Sequence, residues 1–272
     1  MQVAATIDEL RAMRHRLGEE VPLALVPTMG ALHDGHLSLV ELARKHVGPR
    51  GHVAASVFVN PTQFNDPADL AAYPKPLEND LEQLRAAGVD LAFTPSPDEM
   101  YPADALDVAV DVPALARVLE GEHRPGHFAG VCRVVLKLFH LFEPDAAVFG
   151  SKDFQQLRII EAMTTGLNLP MRILRAPTQR DADGLAMSSR NARLSPEARK
   201  QALAIPQALD AAAAADDPER AMRQVLDAAD LELDYAAVVD PVTLQPTNSR
   251  PRLLAIAATV GGVRLIDNRL LD

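Results

Sequence analysis

The sequence predicts an α/β fold, a doubly wound parallel sheet with a smaller C-terminal α+β lid domain, and three observations carry the prediction. Apolar runs at 23–26, 52–59, 89–94, 145–150 and 171–174 alternate with helical stretches, the order that parallel crossovers produce. Those runs are nearly continuous rather than alternating, as strands covered on both faces are. After residue 175 the composition shifts to a polar stretch at 178–185, alanine-rich helices at 195–215 and 218–228, and strand candidates at 233–239, 253–260 and 263–267. The expected units are therefore a Rossmann-like domain at 1–175 and a lid domain at 176–272.

Other elements follow from local signals. Thr6 before Glu9 forms a capping box for a helix running to Leu17. A helix at 76–87 closes at Gly88, whereas 65–75 is polar, proline-bounded and reads as a loop. Residues 95–102 mark a long loop, and 106–110 alternate as an edge strand would. The glycine-bearing segment 119–128 is a turn before a helical run at 129–142 and is assigned no chemistry.

Composition narrows the function. A chain of 272 residues with 48% hydrophobic content buries a real core. Its one cysteine, Cys132, excludes an internal disulfide framework and a multi-cysteine zinc site, and reads as a small helix-core residue. The net charge of −10, with scattered Lys and Arg, disfavours nucleic acid as a partner. No apolar run approaches the ~20 residues of a membrane span, and the start lacks a secretion signal, so no membrane contact and a cytoplasmic location are expected.

The chemistry gathers where strands give way to helices. Val26 leads through Pro27, Thr28, Met29 and Gly30 into His33-Asp34-Gly35-His36, after which Leu39, Val40, Leu42 and Ala43 repeat at helical spacing. A helix start carries unpaired N–H groups and partial positive charge, which suit phosphate. Two imidazoles there could follow charge on a leaving pyrophosphate, or simply be solvated loop histidines. Gly150-Ser151-Lys152-Asp153 repeats the arrangement after a second strand: glycine for close approach, lysine for phosphate, aspartate for ribose hydroxyls, unless Ser151 and Asp153 merely cap a helix. Ser188, Ser189 and Arg190 suit a mobile loop closing on phosphates, or a helix-flanking linker. Gln63 stands at the rim of the strand-like run at 52–59, able to offer an amide to a small polar substrate or to water. Asp80 and Gln83, one turn apart, face either solvent or a magnesium-bearing phosphate region, and no metal ligand is assigned.

The peptide from Pro27 to His36 resembles the signature of the pantothenate synthetase family, a version of the H-x-G-H motif of nucleotidyl transferases and class I aminoacyl-tRNA synthetases. Segments 60–64, 125–128, 149–156, 187–191, 238–241 and 264–268 are similar to the same family, so the likeness spans nearly the whole chain. The resemblance implies ATP-dependent condensation of (R)-pantoate with β-alanine through a pantoyl-adenylate, giving pantothenate, AMP and pyrophosphate, with Mg2+ and a homodimer. It implies ATP contacts at Met29, Gly30, Ala31, Leu32, His33, Asp34, Gly35, His36, Gly150, Ser151, Lys152, Asp153, Gln179, Met187, Ser188, Ser189 and Arg190. Gln63 would bind pantoate and β-alanine, and Gln156 pantoate. Ser151 stands where the family carries an acidic residue and Gln179 where it carries an apolar one, so backbone contacts are implied at both. His36 is the implied proton donor, with His33, Lys152, Ser188, Ser189 and Arg190 offsetting phosphoryl charge. The rivals are another carboxylate-adenylating or nucleotidyl transferase and a non-catalytic nucleotide-binding module.

Overall fold

The structure, a computed structural model, describes residues 1–18 and 20–272. In the first part of the chain the strands are β1 (Gln2–Ala4), β2 (Leu23–Thr28), β3 (His52–Val57), β4 (Leu91–Phe93), β5 (Ala146–Gly150) and β6 (Arg172–Ala176). The helices among them are α1 (Ile7–Leu17), α2 (Asp34–Val47), α3 (Pro67–Ala72), α4 (Leu77–Ala86), α5 (Pro97–Met100), α6 (Pro113–Ala116), α7 (Glu120–His123), α8 (His127–Phe142) and α9 (Phe154–Gly166). The six strands form one parallel sheet in the order β1-β4-β3-β2-β5-β6.

Strand periodicity explains why both faces are covered. Leu23, Leu25, Ala54, Leu91, Phe93, Ala147 and Phe149 point into one core with α1, α8 and α9, where the small thiol of Cys132 is also buried. Their neighbours Ala24, Val26, Val53, Ala55, Ala92 and Val148 point into a second core under α2 and α4. A strand apolar at every position is what two cores require.

The rest of the chain adds α10 (Pro196–Ala202), α11 (Ala204–Ala213), α12 (Pro218–Ala228) and an antiparallel meander of β7 (Glu232–Val239), β8 (Arg252–Val260) and β9 (Val263–Leu271). Leu254, Ile256 and Ala258 pack beneath the three helices, whereas Leu253 and Ala255 on the opposite face join the core of the large sheet. The small sheet is thus held from both sides. A polar seam reinforces the contact: Arg264 on β9 donates to both carboxylate oxygens of Glu120 on α7 (2.6 and 2.7 Å), and the Tyr235 hydroxyl donates to the same carboxylate (2.8 Å).

Several expectations need correction. Residues 106–110 form no strand; Leu106 is 91% and Val108 62% exposed, so the alternation there answers to no buried face. The short edge strand β1, without a signal of its own, pairs with β4 instead. The polar stretch at 65–75 contains α3, capped by Asp66 with Pro67 in its first turn. The alanine-rich stretch at 195–215 breaks at Leu203, because Pro206 in the first turn of α11 has no N–H for the preceding turn.

Candidate active site

The chain leaves β2 toward β3 on one side and β5 toward β6 on the other, although β2 and β5 are neighbours. Connections departing in opposite directions open a crevice at the carboxyl ends of the two strands. Both predicted phosphate segments lie at its mouth.

The first segment is shaped by its backbone. Thr28 Oγ1 donates to the Ser56 carbonyl (2.7 Å) and accepts from the Gly30 N–H (3.2 Å). Gly30 (φ +80°) and Ala31 (φ +51°) then turn through the left-handed region. His33 is the N-cap of α2: its Nδ1 accepts from the Gly35 N–H (3.1 Å), while its own N–H reaches His36 Nδ1 (3.4 Å). With Nδ1 accepting in each ring, the proton of each neutral imidazole sits on Nε2, where a ligand can be met. The rings stand 4.2 Å apart.

The two rings are kept neutral. Burial pushes His36 down to about 3, aided by the neighbouring His33, and burial followed by the Lys152 charge lowers His33. In the ligand-free protein His36 is a neutral hydrogen-bond donor, and only the negative charge of a bound triphosphate would raise its basicity.

The second segment turns from β5 through residues 151–153 into α9. Neither Ser151 nor Asp153 caps that helix with its side chain. Asn268 on β9 donates to the carbonyls of Ser151 (3.0 Å) and Lys152 (2.8 Å), so the small sheet helps to fix this turn. Lys152 Nζ lies 3.8 Å from Asp153.

The third segment is tied to the C-terminal part. Arg180 forms a two-pronged ion pair with buried Asp267 (2.6 and 3.0 Å), and Arg199 reaches Asp181 (2.7 Å) and Asp183 (2.8 Å). The Met187 N–H donates to the Gln179 carbonyl (2.9 Å). Ser188 caps the following turn, Ser189 lies 3.5 Å from the Tyr73 hydroxyl, and Arg190 pairs with Asp69 on α3 (3.0 Å).

Gln63 is 8% exposed and firmly oriented. Its side-chain oxygen accepts from Asn60 Nδ2 (2.9 Å), leaving its amide N–H groups for a ligand. Its carbonyl accepts from His127 Nδ1 (2.7 Å) and Arg124 (3.3 Å).

One cleft collects these groups. Met29, His33, Gly35, His36, Gln63, Gly150, Lys152, Asp153, Gln156, Gln179, Met187, Ser188, Ser189 and Arg190 all line it. Its apolar wall is Leu39, Phe58, Val131, Val134, Val135 and Leu138. Gly30, Ala31, Leu32, Asp34 and Ser151 do not line it: Leu32 is in the core under α2, and Asp34 opens α2 itself.

Asn60 and His127 lie in segments that resemble the family but imply no role for either, Arg124 carries no signal, and Asp80 carries a misleading one. Asp80 faces neither solvent nor the cleft. It is buried against the first loop, one turn before Leu84 on the inward face of α4, a spacing that could have disclosed it. Among the described residues no three His, Cys, Asp or Glu side chains group to hold a metal, and no helix is long and apolar enough to cross a membrane.

A parallel sheet whose switch point carries paired imidazoles, a lysine and a serine-arginine loop defines an α/β enzyme that handles nucleotides. The pantoate-beta-alanine ligase family model matches residues 2–270, and the chain belongs to that family. A pantothenate synthetase from Akkermansia muciniphila is 47% identical over 98% of this chain and 99% of its own length. One from Acidothermus cellulolyticus is 50% identical over 98% and 90%. The crystal structure of a pantothenate synthetase from Thermus thermophilus superposes with a TM-score of 0.92 at 43% identity, covering 99% of both chains. That of the pantoate-beta-alanine ligase from Francisella tularensis, complexed with Beta-gamma ATP and Beta-alanine, gives 0.87 at 34% identity, covering 99% of this chain and 97% of that one.

Proposed function

We infer that this protein is an AMP-forming ligase that condenses (R)-pantoate with β-alanine at the expense of ATP. The observation that carries the reading is the meeting of three segments far apart in the chain on a single cleft. Pantoate's carboxylate, already ionised at neutral pH, attacks the α-phosphorus and expels pyrophosphate; no base is needed for that step. Gln63, with its amide N–H groups turned free, and Gln156 from α9 hold pantoate. His33 and His36 donate from Nε2 to phosphate oxygens, and Lys152, Ser188, Ser189 and Arg190 offset the charge that develops on the leaving group. For Arg190 this requires exchanging Asp69 for the ligand. The neutral amine of β-alanine then attacks the acyl carbon of pantoyl-adenylate, AMP leaves, and the amine gives up a proton.

Met29, His33, Gly35 and His36 of the first loop, Gly150, Lys152 and Asp153 of the second turn, and Gln179 and Met187 meet ATP on the cleft, whereas Gly30, Ala31, Leu32, Asp34 and Ser151 shape the two turns that carry these groups. Asp153 is the carboxylate on the cleft wall, and one such group fits Mg2+, which commonly takes one or two carboxylates and completes its shell with phosphates and water. Bound there, the ion would neutralise phosphate charge. Residues 176–272 act as the lid over the domain at 1–175, supported by the tethering of the Ser188 loop to β9 through Arg180 and Asp267. Family membership supports a cytoplasmic homodimer as the working form.

Pantoate-dependent exchange of labelled pyrophosphate into ATP, measured without β-alanine, tests the reading. Exchange is expected with pantoate and not with a panel of other carboxylates. Exchange independent of pantoate, or exchange that appears only when β-alanine is also present, would overturn the stepwise reaction.

A further inference from the structure

We propose that Asp80 is a positioning residue whose buried carboxylate locks the turn at Gly30 and Ala31 and so aims His33 and His36 into the cleft. The proposal rests on the role given above to the two imidazoles and adds the group that holds them in place.

Three observations converge. Asp80 is 1% exposed, and its two oxygens accept from successive backbone N–H groups, Oδ2 from Ala31 (2.9 Å) and Oδ1 from Leu32 (2.8 Å). Ala31 sits at φ +51°, a conformation that a side-chain-bearing residue keeps only when its surroundings impose it. Gly30 leaves just enough room: a Cβ on it would stand 2.7 Å from Asp80 Oδ2 and 3.1 Å from Val57 Cγ1. Carboxylate, left-handed turn and missing side chain therefore form one fitted unit. His33 follows Leu32 directly and its N–H holds His36 Nδ1, so a shift of the turn is passed to both rings.

The chemistry is specific to aspartate. Two oxygens on a short stem can accept from two adjacent donors, whereas asparagine would set its NH2 against one of them. Asp80 is also engaged in a way that leaves it poorly placed as a metal ligand, since both oxygens already face backbone donors.

Asp80→Asn tests the idea, with His36→Ala and the double variant measured beside it. A displacement of about 1 Å at a reacting group lowers turnover by roughly 10²-fold, and a fall of that order in kcat is expected for Asp80→Asn, with ATP KM changed only a few-fold. Added to His36→Ala, the substitution should lower kcat by clearly less than the roughly 10²-fold it costs alone, because part of its effect passes through the ring already removed. Gly30→Ala, which presses on the carboxylate from the other side, should reproduce the kcat loss while circular dichroism confirms a folded chain. Near-wild-type kcat in Asp80→Asn, a full multiplicative loss in the double variant, or recovery of Asp80→Asn at raised Mg2+ would overturn the positioning role. A fully active His36→Ala would instead overturn the underlying function reading.

Discussion

Acid should destabilise this protein at a higher pH than its carboxylates require, because burial lowers three imidazoles, those of His33, His36 and His127, the last two most strongly. His36 lies at about 3, from burial and then the neighbouring His33; His127 lies at about 4, from burial and then the Arg124 charge. Both fall below the ordinary 6.5, so between the folded and unfolded values the unfolded chain binds protons that the folded chain refuses. Stability contributed at neutral pH is therefore lost as pH falls below 6.5. Each ring contributes up to about 1.4 kcal/mol per pH unit and half of that at the unfolded pKa itself, so the pair should weaken folding by about 3 kcal/mol between about pH 6.5 and 5. That is a large part of the ~5–15 kcal/mol typical of a folded domain. Glu120 belongs to a lower window: burial opposes its charge, but Arg264 outweighs it and holds the carboxyl below 4.5, so its contribution is lost only as pH falls through that depressed value. Urea unfolding at pH 7, 6 and 5 measures the slope. His127→Asn keeps a donor for the Gln63 carbonyl and removes one titrating ring, and should make the slope clearly shallower without abolishing it, because burial also lowers His33 and His36. An unchanged slope in that variant would refute the reasoning.

Three further outcomes follow from particular contacts. Glu120→Gln leaves half-buried Arg264 with Asp234 (2.7 Å) as its remaining anion and should destabilise folding by about 2 kcal/mol; adding Arg264→Met should recover part of it, and independent, additive losses would contradict the pairing. His36→Ala should lower pantoate-dependent pyrophosphate exchange about 10²-fold with the melting temperature little changed, and near-wild-type exchange would remove His36 from the site. Lys152→Ala should reduce kcat more than it weakens ATP binding, and an effect confined to ATP KM would assign the lysine to ground-state binding alone.

What the sequence discloses is set by the range of the interactions. The Thr6 and Glu9 capping box closes within one turn, with Glu9 Oε2 accepting from Thr6 N–H (3.2 Å), and is legible from spacing alone. The helix start at His33 is legible for the same reason, since proline and glycine punctuate the chain before it and apolar spacing follows. The sheet is legible because two-sided burial demands uninterrupted apolar strands. Long-range polar pairs leave no such local mark. Glu120 and Arg264 are 144 residues apart, and Gln63 and His127 are 64 apart, so neither partner announces the other. Asp80 misleads because a carboxylate on a helix surface looks solvated until the turn that covers it is known. The segment at 106–110 fails in the opposite sense: its alternation is real, but no second surface buries it.

A crystal structure with a non-hydrolysable ATP analogue and pantoate measures the central claim directly. The triphosphate should lie within hydrogen-bond distance of His33, His36, Lys152 and the Ser188 to Arg190 loop, with pantoate's carboxylate in line with the α-phosphorus between Gln63 and Gln156. Phosphates seated away from the paired imidazoles, or pantoate on the far side of the small sheet, would contradict the account.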